Sequence, residues 1–189
     1  YIRPPKRPAS ATALAAIILQ SSQNDMHGGQ SFAAFDRDIA PFMAGASEDE
    51  VFQAMEALIY NLNSMHSRAG AQVPFSSINL GCDTSPEGRQ VTKSLLLAYE
   101  KGLGKGETPI FPNIIFRLKK GVNFNPEDPN YDLFKLAVRV SAQRLNPTYA
   151  FMDATFNQEY GDEVAYMGCR TRVIANRHGA AVSDGRGNL

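Results

Sequence analysis

Sulfur supplies the most reactive side chains in this chain, at Cys82 and Cys169. Cys169 follows Gly168 and precedes Arg170 and Thr171 in "EVAYMGCRTRVI", between two β-prone runs. A nucleophilic thiol needs a base beside it. The nearest histidine in sequence, His178, stands in the turn-like "NRHGA", where a solvated loop side chain is the simpler reading. From composition alone, Cys169 reads as a small buried apolar side chain before it reads as a nucleophile. Gly168 keeps the other reading open, a thiol carried at a tight apex. Cys82 lies at the end of a strand-like run, just before a helix start that could activate a thiol, but an inert thiol is the simpler reading. His27, His66 and His178 show no metal-ligand spacing with either cysteine, so no metal is expected on these residues.

Three further stretches could bind. "SSQNDMHGGQS" offers hydroxyls, amides and the Gly28–Gly29 pair, a composition suited to presenting backbone N–H groups to an anion. It matches no Walker or dinucleotide pattern, and a polar turn between helices is the competing reading. "PFSSINLGCD" places Ser76, Ser77 and Asn79 inside an apolar strand. Such residues either bond neighbouring backbone or line a cavity, and the sequence leaves both open. "RLKK", Arg117 to Lys120, reads as a solvated strand end, with a phosphate contact as the alternative.

The elements that must position these residues follow from periodicity and caps. Ser10 can cap an Ala-rich helix running to about Leu19 or Gln20, and a short helix is expected over Phe32 to Phe42. Ser47 and Glu50 form a capping-box pattern, after which Val51, Met55, Leu58, Leu62 and Met65 recur at helical spacing, to an end near Gly70. A strand is expected over Gln72 to Leu80. Ser85 as N-cap and Pro86 as first helical residue start a helix that ends at Lys101 before Gly102. "PIFPNIIFRL" is strand-like, a helix covers about Asp132 to Arg144, and "TYAFMDA" and "AYMGCRTRVI" return to β character. Strands alternating with amphipathic helices predict α/β units with mainly parallel strands. Chemistry in such folds sits on loops beyond the strand ends.

The bulk properties exclude several classes. The chain has 189 residues, 43% hydrophobic and 20% charged, enough for one domain with a substantial core. The formal net charge of +0 gives no global field to recruit nucleic acid or an acidic membrane. The apolar run Ala13 to Leu19 is too short to span a bilayer. Two distant cysteines make no disulfide framework and suit a reducing cytoplasm. A start at Tyr1 and an end at "DGRGNL" suggest an internal piece of a longer polypeptide.

Taken together, "SSQNDMHGGQSF", "LNSMHSRAGAQVPFSSINLG", "NYDLFKLAVRVSAQRLNPTYAFMDATFN", "MGCRTRV" and "GRGNL" resemble, in collinear order, the anaerobic (class III) ribonucleoside-triphosphate reductases. These are glycyl-radical enzymes. The resemblance implies about half of a ten-stranded α/β barrel, with residues 1–189 forming part of a single catalytic barrel domain and a finger loop around 163–175. It implies that Cys169 becomes a thiyl radical, removes the 3′-hydrogen of the ribose, and returns it after the 2′-hydroxyl has left as water. Formate is the implied reductant. Asn188 matches an asparagine that faces the ribose, and Thr171 a hydroxyl residue that bonds substrate or braces the loop. Ser21, Ser22, Gln23, Gly28 and Gly29 are candidate contacts to a substrate or effector nucleotide.

The radical glycine and a structural zinc are expected outside these residues, which would bind neither. Further implied partners are dNTP and ATP effectors, a radical-SAM activating enzyme and a second copy in a homodimer, with no nucleic acid and no membrane. A small-acid lyase of the glycyl-radical group commonly carries adjacent cysteines, whereas Arg170 follows Cys169 here. A non-catalytic nucleotide-binding module of the same fold is the remaining alternative.

Overall fold

The structure is a computed structural model, and it describes residues 3–25, 28–66, 68–160, 164–168 and 171–174. Helix α1 (Pro8–Ser22) starts three residues earlier than a cap at Ser10 predicts, because Pro8 takes the first helical position after Arg7. Strand β1 (Gln30–Phe32) follows, then α2 (Phe35–Ile39) and a 3₁₀ turn, Ala40–Met43. The expected helix over Phe32 to Phe42 is therefore wrong at its start. Gln30, Ser31 and Phe32 pair in parallel with Ser76, Ser77 and Ile78, a long-range partnership that local propensity does not encode.

Helix α3 (Glu48–Ser64) carries the predicted capping box. The Ser47 side chain accepts from the Glu50 amide at 3.2 Å, and the Ser47 amide donates to the Glu50 carboxylate at 2.9 Å. That backbone bond holds the Glu50 carboxyl below its ordinary value. The contribution is complete above the unfolded-state pKa and is lost as pH falls through the lowered folded-state value. Ser47→Ala is expected to lower stability by about 1 kcal/mol in equilibrium denaturation. The helix stops at Ser64 rather than near Gly70. Asn63 turns its side chain to Ile110 and Phe111, accepting from both amides, and an Arg68–Gln72 bridge closes the turn that Gly70 makes at φ 86°.

The remaining elements are β2 (Ser76–Leu80), α4 (Pro86–Lys101), β3 (Asn113–Leu118), α5 (Tyr131–Arg144), β4 (Thr148–Phe151), α6 (Thr155–Gln158), β5 (Ala165–Met167) and β6 (Thr171–Val173). Ser85 caps α4 by accepting from the Gly88 amide at 3.1 Å, and Gly102 closes the helix at φ 81°. Strands β1 to β4 form one parallel sheet in chain order, and β5 with β6 forms a separate antiparallel pair.

Alternation along the strands divides the sheet into two unlike faces. Ile78, Leu80, Ile114, Phe116 and Leu118 join the main core with Leu58 and Leu62 of α3, Leu95 and Tyr99 of α4, and Ala137 and Val140 of α5. Each large apolar side chain fully buried there contributes about 1.5–3 kcal/mol. The other face of β2 is polar: Ser77 and Asn79 point away from that core and are fully buried all the same. No described helix is long and apolar enough to cross a membrane.

Candidate active site

The β5–β6 hairpin lies against the polar face. Its register pairs Ala165 with Val173, Tyr166 with Arg172 and Met167 with Thr171, so three residues join the strands. Of these, Gly168 is described at φ 60°, a left-handed conformation that favours glycine. Cys169 lies outside the described residues, as do Arg170, His27, His178 and Asn188. Thr171, exposed, opens β6.

Side chains from the sheet hold the hairpin by its backbone. Asn79 Oδ1 accepts from the Tyr166 amide at 2.9 Å, and Asn79 Nδ2 donates to the Tyr166 carbonyl at 2.7 Å. Ser31 Oγ donates to the same carbonyl at 2.7 Å. Two residues along, the Gly168 amide donates to Ser77 Oγ at 2.8 Å. Both Ser77 and Asn79 bond hairpin backbone, and Asn79 Nδ2 also donates to the Phe32 carbonyl of β1 at 3.0 Å and to Ser31 Oγ at 2.9 Å. Outside this seam, Asn157 donates to the Tyr166 hydroxyl at 3.0 Å. Arg172 stacks its guanidinium over Phe156 and Tyr160, 5.5 and 5.3 Å from the ring centroids, and donates to the Phe156 carbonyl.

Gly29 completes the enclosure by having no side chain. A Cβ there would lie 2.5 Å from Phe75 Cδ1 and 2.7 Å from Met167 Sδ. The glycine is needed for close approach, since the Gly29 backbone packs where a methyl group would displace Phe75 or the hairpin. Phe75 also comes within 3.2 Å of the position a Gly168 Cβ would take. Gly29, Phe75, Ser77, Met167 and Gly168 therefore meet near the start of β2.

The other nucleotide candidates are placed differently. Ser21 and Ser22 end α1, with Ser21 exposed, and Gly28 is exposed at φ 80°. Gln23 is buried, its Nε2 3.5 Å from the Gln72 carbonyl, and its own carbonyl accepts from Arg68. Its side chain braces the 65–75 loop onto the end of α1.

Sequence reading missed Ser31, Phe75, Asn157 and Tyr166 as parts of this site. The period-two polar pair Ser77 and Asn79 was the available signal, because a buried polar face on a strand requires a polar partner. "RLKK" is also corrected at its first residue. Arg117 is 7% exposed and lies 3.6 Å from the Asp36 carboxylate, so it is an internal ion-pair partner rather than a solvated strand end. Cys82 Sγ is 3.5 Å from the Arg117 carbonyl, beyond the carboxyl end of β2. Among the described residues, no group of three or more His, Cys, Asp or Glu could hold a metal ion.

Comparison with known proteins adds what geometry alone does not. The family described as anaerobic ribonucleoside-triphosphate reductase matches residues 1–189. The anaerobic ribonucleoside-triphosphate reductase of Haemophilus influenzae is 32% identical over 213 residues, covering 100% of this chain and 30% of that protein. That of Escherichia coli is 31% identical, with 100% and 30% covered, and that of Enterobacteria phage T4 is 31% identical, with 100% and 35% covered. The chain spans about a third of the length of these relatives.

Proposed function

Because the chain belongs to the anaerobic ribonucleoside-triphosphate reductase family, we propose that it carries the hydrogen-abstracting part of a site that converts ribonucleoside triphosphates to 2′-deoxyribonucleoside triphosphates. The observation that supports this best is the hairpin whose backbone is bonded to Ser31, Ser77 and Asn79 and whose joining residues include Cys169. Hydrogen abstraction by sulfur asks for proximity to one C–H bond and exclusion of water, not for a base. A cysteine in a hairpin joint fits that demand.

On this reading the Cys169 thiyl takes the ribose 3′-hydrogen, forming S–H and leaving the unpaired electron on carbon. The 2′-hydroxyl, protonated, leaves as water. Formate supplies two electrons and leaves as CO₂, and the 3′-hydrogen returns from sulfur. Formate, ribonucleotide and a proton thus give deoxynucleotide, CO₂ and water. Asn188 donates to and accepts from the ribose hydroxyls, and Thr171 bonds the substrate or braces the hairpin.

The four parallel strands form part of a ten-stranded barrel, with the hairpin as its finger loop, in a single catalytic domain. The radical glycine that oxidises Cys169 and the structural zinc belong to other segments of the full-length protein. The dNTP and ATP effectors, the activating enzyme and the homodimer belong to that assembly, in the cytoplasm.

The test uses the full-length protein, activated anaerobically and given each ribonucleoside triphosphate with ¹³C-formate. Deoxynucleotide and ¹³CO₂ are expected in equal amounts. Deoxynucleotide without ¹³CO₂ would remove formate from the scheme. Failure to form deoxynucleotide from any of them, despite a formed glycyl radical, would overturn the reading.

A further inference from the structure

Asn79 and Ser77 are in an unusual place for their chemistry. A parallel strand with neighbours on both sides is ordinarily a near-continuous apolar run. Both residues lie within β2, which pairs with β1 and β3, and both are fully buried. Burying an amide and a hydroxyl costs free energy unless each is hydrogen-bonded. Here the partners include the hairpin's main-chain groups, the Tyr166 amide and carbonyl for Asn79 and the Gly168 amide for Ser77; Asn79 Nδ2 also donates to the Phe32 carbonyl and Ser31 Oγ of β1, which ties the hairpin and β1 to one side chain.

The pattern is a register device. Ser77 and Asn79 along β2 match Gly168, just after β5, and Tyr166 within it, in opposite directions. The Asn79 amide bonds one residue through both its N–H and its C=O, as a neighbouring strand would. A one-residue slip would move the hairpin by about 3.4 Å and exchange the faces of its side chains. An apolar face would have buried the hairpin equally well without defining where it stops.

We propose that Asn79 and Ser77 are positioning residues for Cys169. By fixing Tyr166 and Gly168 to β2, they set the height at which the next residue's sulfur meets the substrate C–H bond. The proposal rests on the function assigned above and names no new catalytic group. Hydrogen transfer needs reacting atoms about 3–3.5 Å apart, and a 1 Å misplacement can cost about 10²-fold in rate.

The experiment takes full-length, activated enzyme with Asn79→Leu, Ser77→Ala and Ser77→Thr. For Asn79→Leu, kcat is expected to fall about 10²-fold, with the nucleotide KM within about threefold and the glycyl-radical EPR signal intact. Ser77→Ala is expected to lose about tenfold in kcat, and Ser77→Thr, which keeps the hydroxyl, to recover most of it. In the unactivated protein, alkylation of Cys169 by iodoacetamide should run at least about fivefold faster in Asn79→Leu, as the hairpin opens locally.

A role limited to stability would lower the melting temperature and leave kcat of the folded enzyme alone. If Ser77→Ala keeps kcat within about twofold of wild type, or if KM rises while kcat holds, the proposal is overturned. Ser77→Ala serves even if Asn79→Leu fails to fold. The alkylation readout needs no turnover, so it separates failure of the positioning idea from failure of the functional reading.

Discussion

Cys169→Ser in the full-length enzyme is expected to abolish deoxynucleotide formation while nucleotide binding and glycyl-radical formation persist. The reasoning is one of bond strength. Serine keeps the shape and polarity of the side chain but replaces S–H by a much stronger O–H, so a carbon-centred radical on glycine gains nothing by taking its hydrogen. The first step is removed with little change of side-chain size. The substitution should also leave the hairpin in place, since the backbone of Tyr166 and Gly168 is bonded to Asn79 and Ser77. Product formation by chromatography, nucleotide affinity by calorimetry and radical content by EPR separate the three properties. Cys82→Ser is the matching control. Cys82 sits beyond the carboxyl end of β2, against the Arg117 carbonyl, whereas Ser77 meets Gly168 near the amino end. Its replacement should leave turnover within about threefold, as expected of a substitution outside the reacting groups. A turning-over Cys169→Ser enzyme would end the radical reading.

What the sequence disclosed, and what it withheld, follows from the range of the interactions concerned. Ser47 with Glu50 and Ser85 with Pro86 announce their helices because cap and capped amide lie within three residues. Gly102 ends α4 for an equally local reason, its positive φ. β1 was hidden because "QSF" has neither length nor alternation, and it is a strand only through Ser76, Ser77 and Ile78 across the chain. The end of α3 was misjudged because its apolar spacing runs on to Met65, whereas Asn63 commits its side chain to Ile110 and Phe111. At the site, Cys169 could be singled out only through the collinear motifs around it. Ser77 and Asn79 were visible as anomalies, but their partner lies 87 residues beyond Asn79 and could not be inferred from composition.

The same limit concealed Asp36, whose removal should have the largest effect on stability. Asp36 lies in the first turn of α2 and is fully buried. Its Oδ2 accepts from the Gly81 amide at 2.7 Å and from the Asp83 amide at 3.0 Å, and its Oδ1 faces Arg117 Nη2 at 3.6 Å. Two buried asparagines tie the same turn from the other side. Asn123 donates to the carbonyls of Gly81 and Arg117, both at 2.8 Å, and Asn130 donates to the Asp83 carbonyl at 2.8 Å.

One carboxylate therefore joins α2, the turn after β2 and the end of β3. Asp36→Ala strips the buried Gly81 amide and the partly buried Asp83 amide of their acceptor and leaves a guanidinium, 7% exposed, without its counter-charge. Breaking a buried pair from one side costs about 3–5 kcal/mol, more than the pair itself is worth. A loss of that size is a large share of a domain's net stability. Denaturant unfolding should show it as a lower midpoint with an unchanged slope. Arg117→Met with Asp36→Leu removes both charges together and should recover part of the loss, because no charge is then stranded. Recovery should stay incomplete, since the Gly81 and Asp83 amides still lack an acceptor. If the double variant were as unstable as the two single losses combined, the ion pair would not be what couples α2 to β3, and the two amide bonds alone would account for the cost.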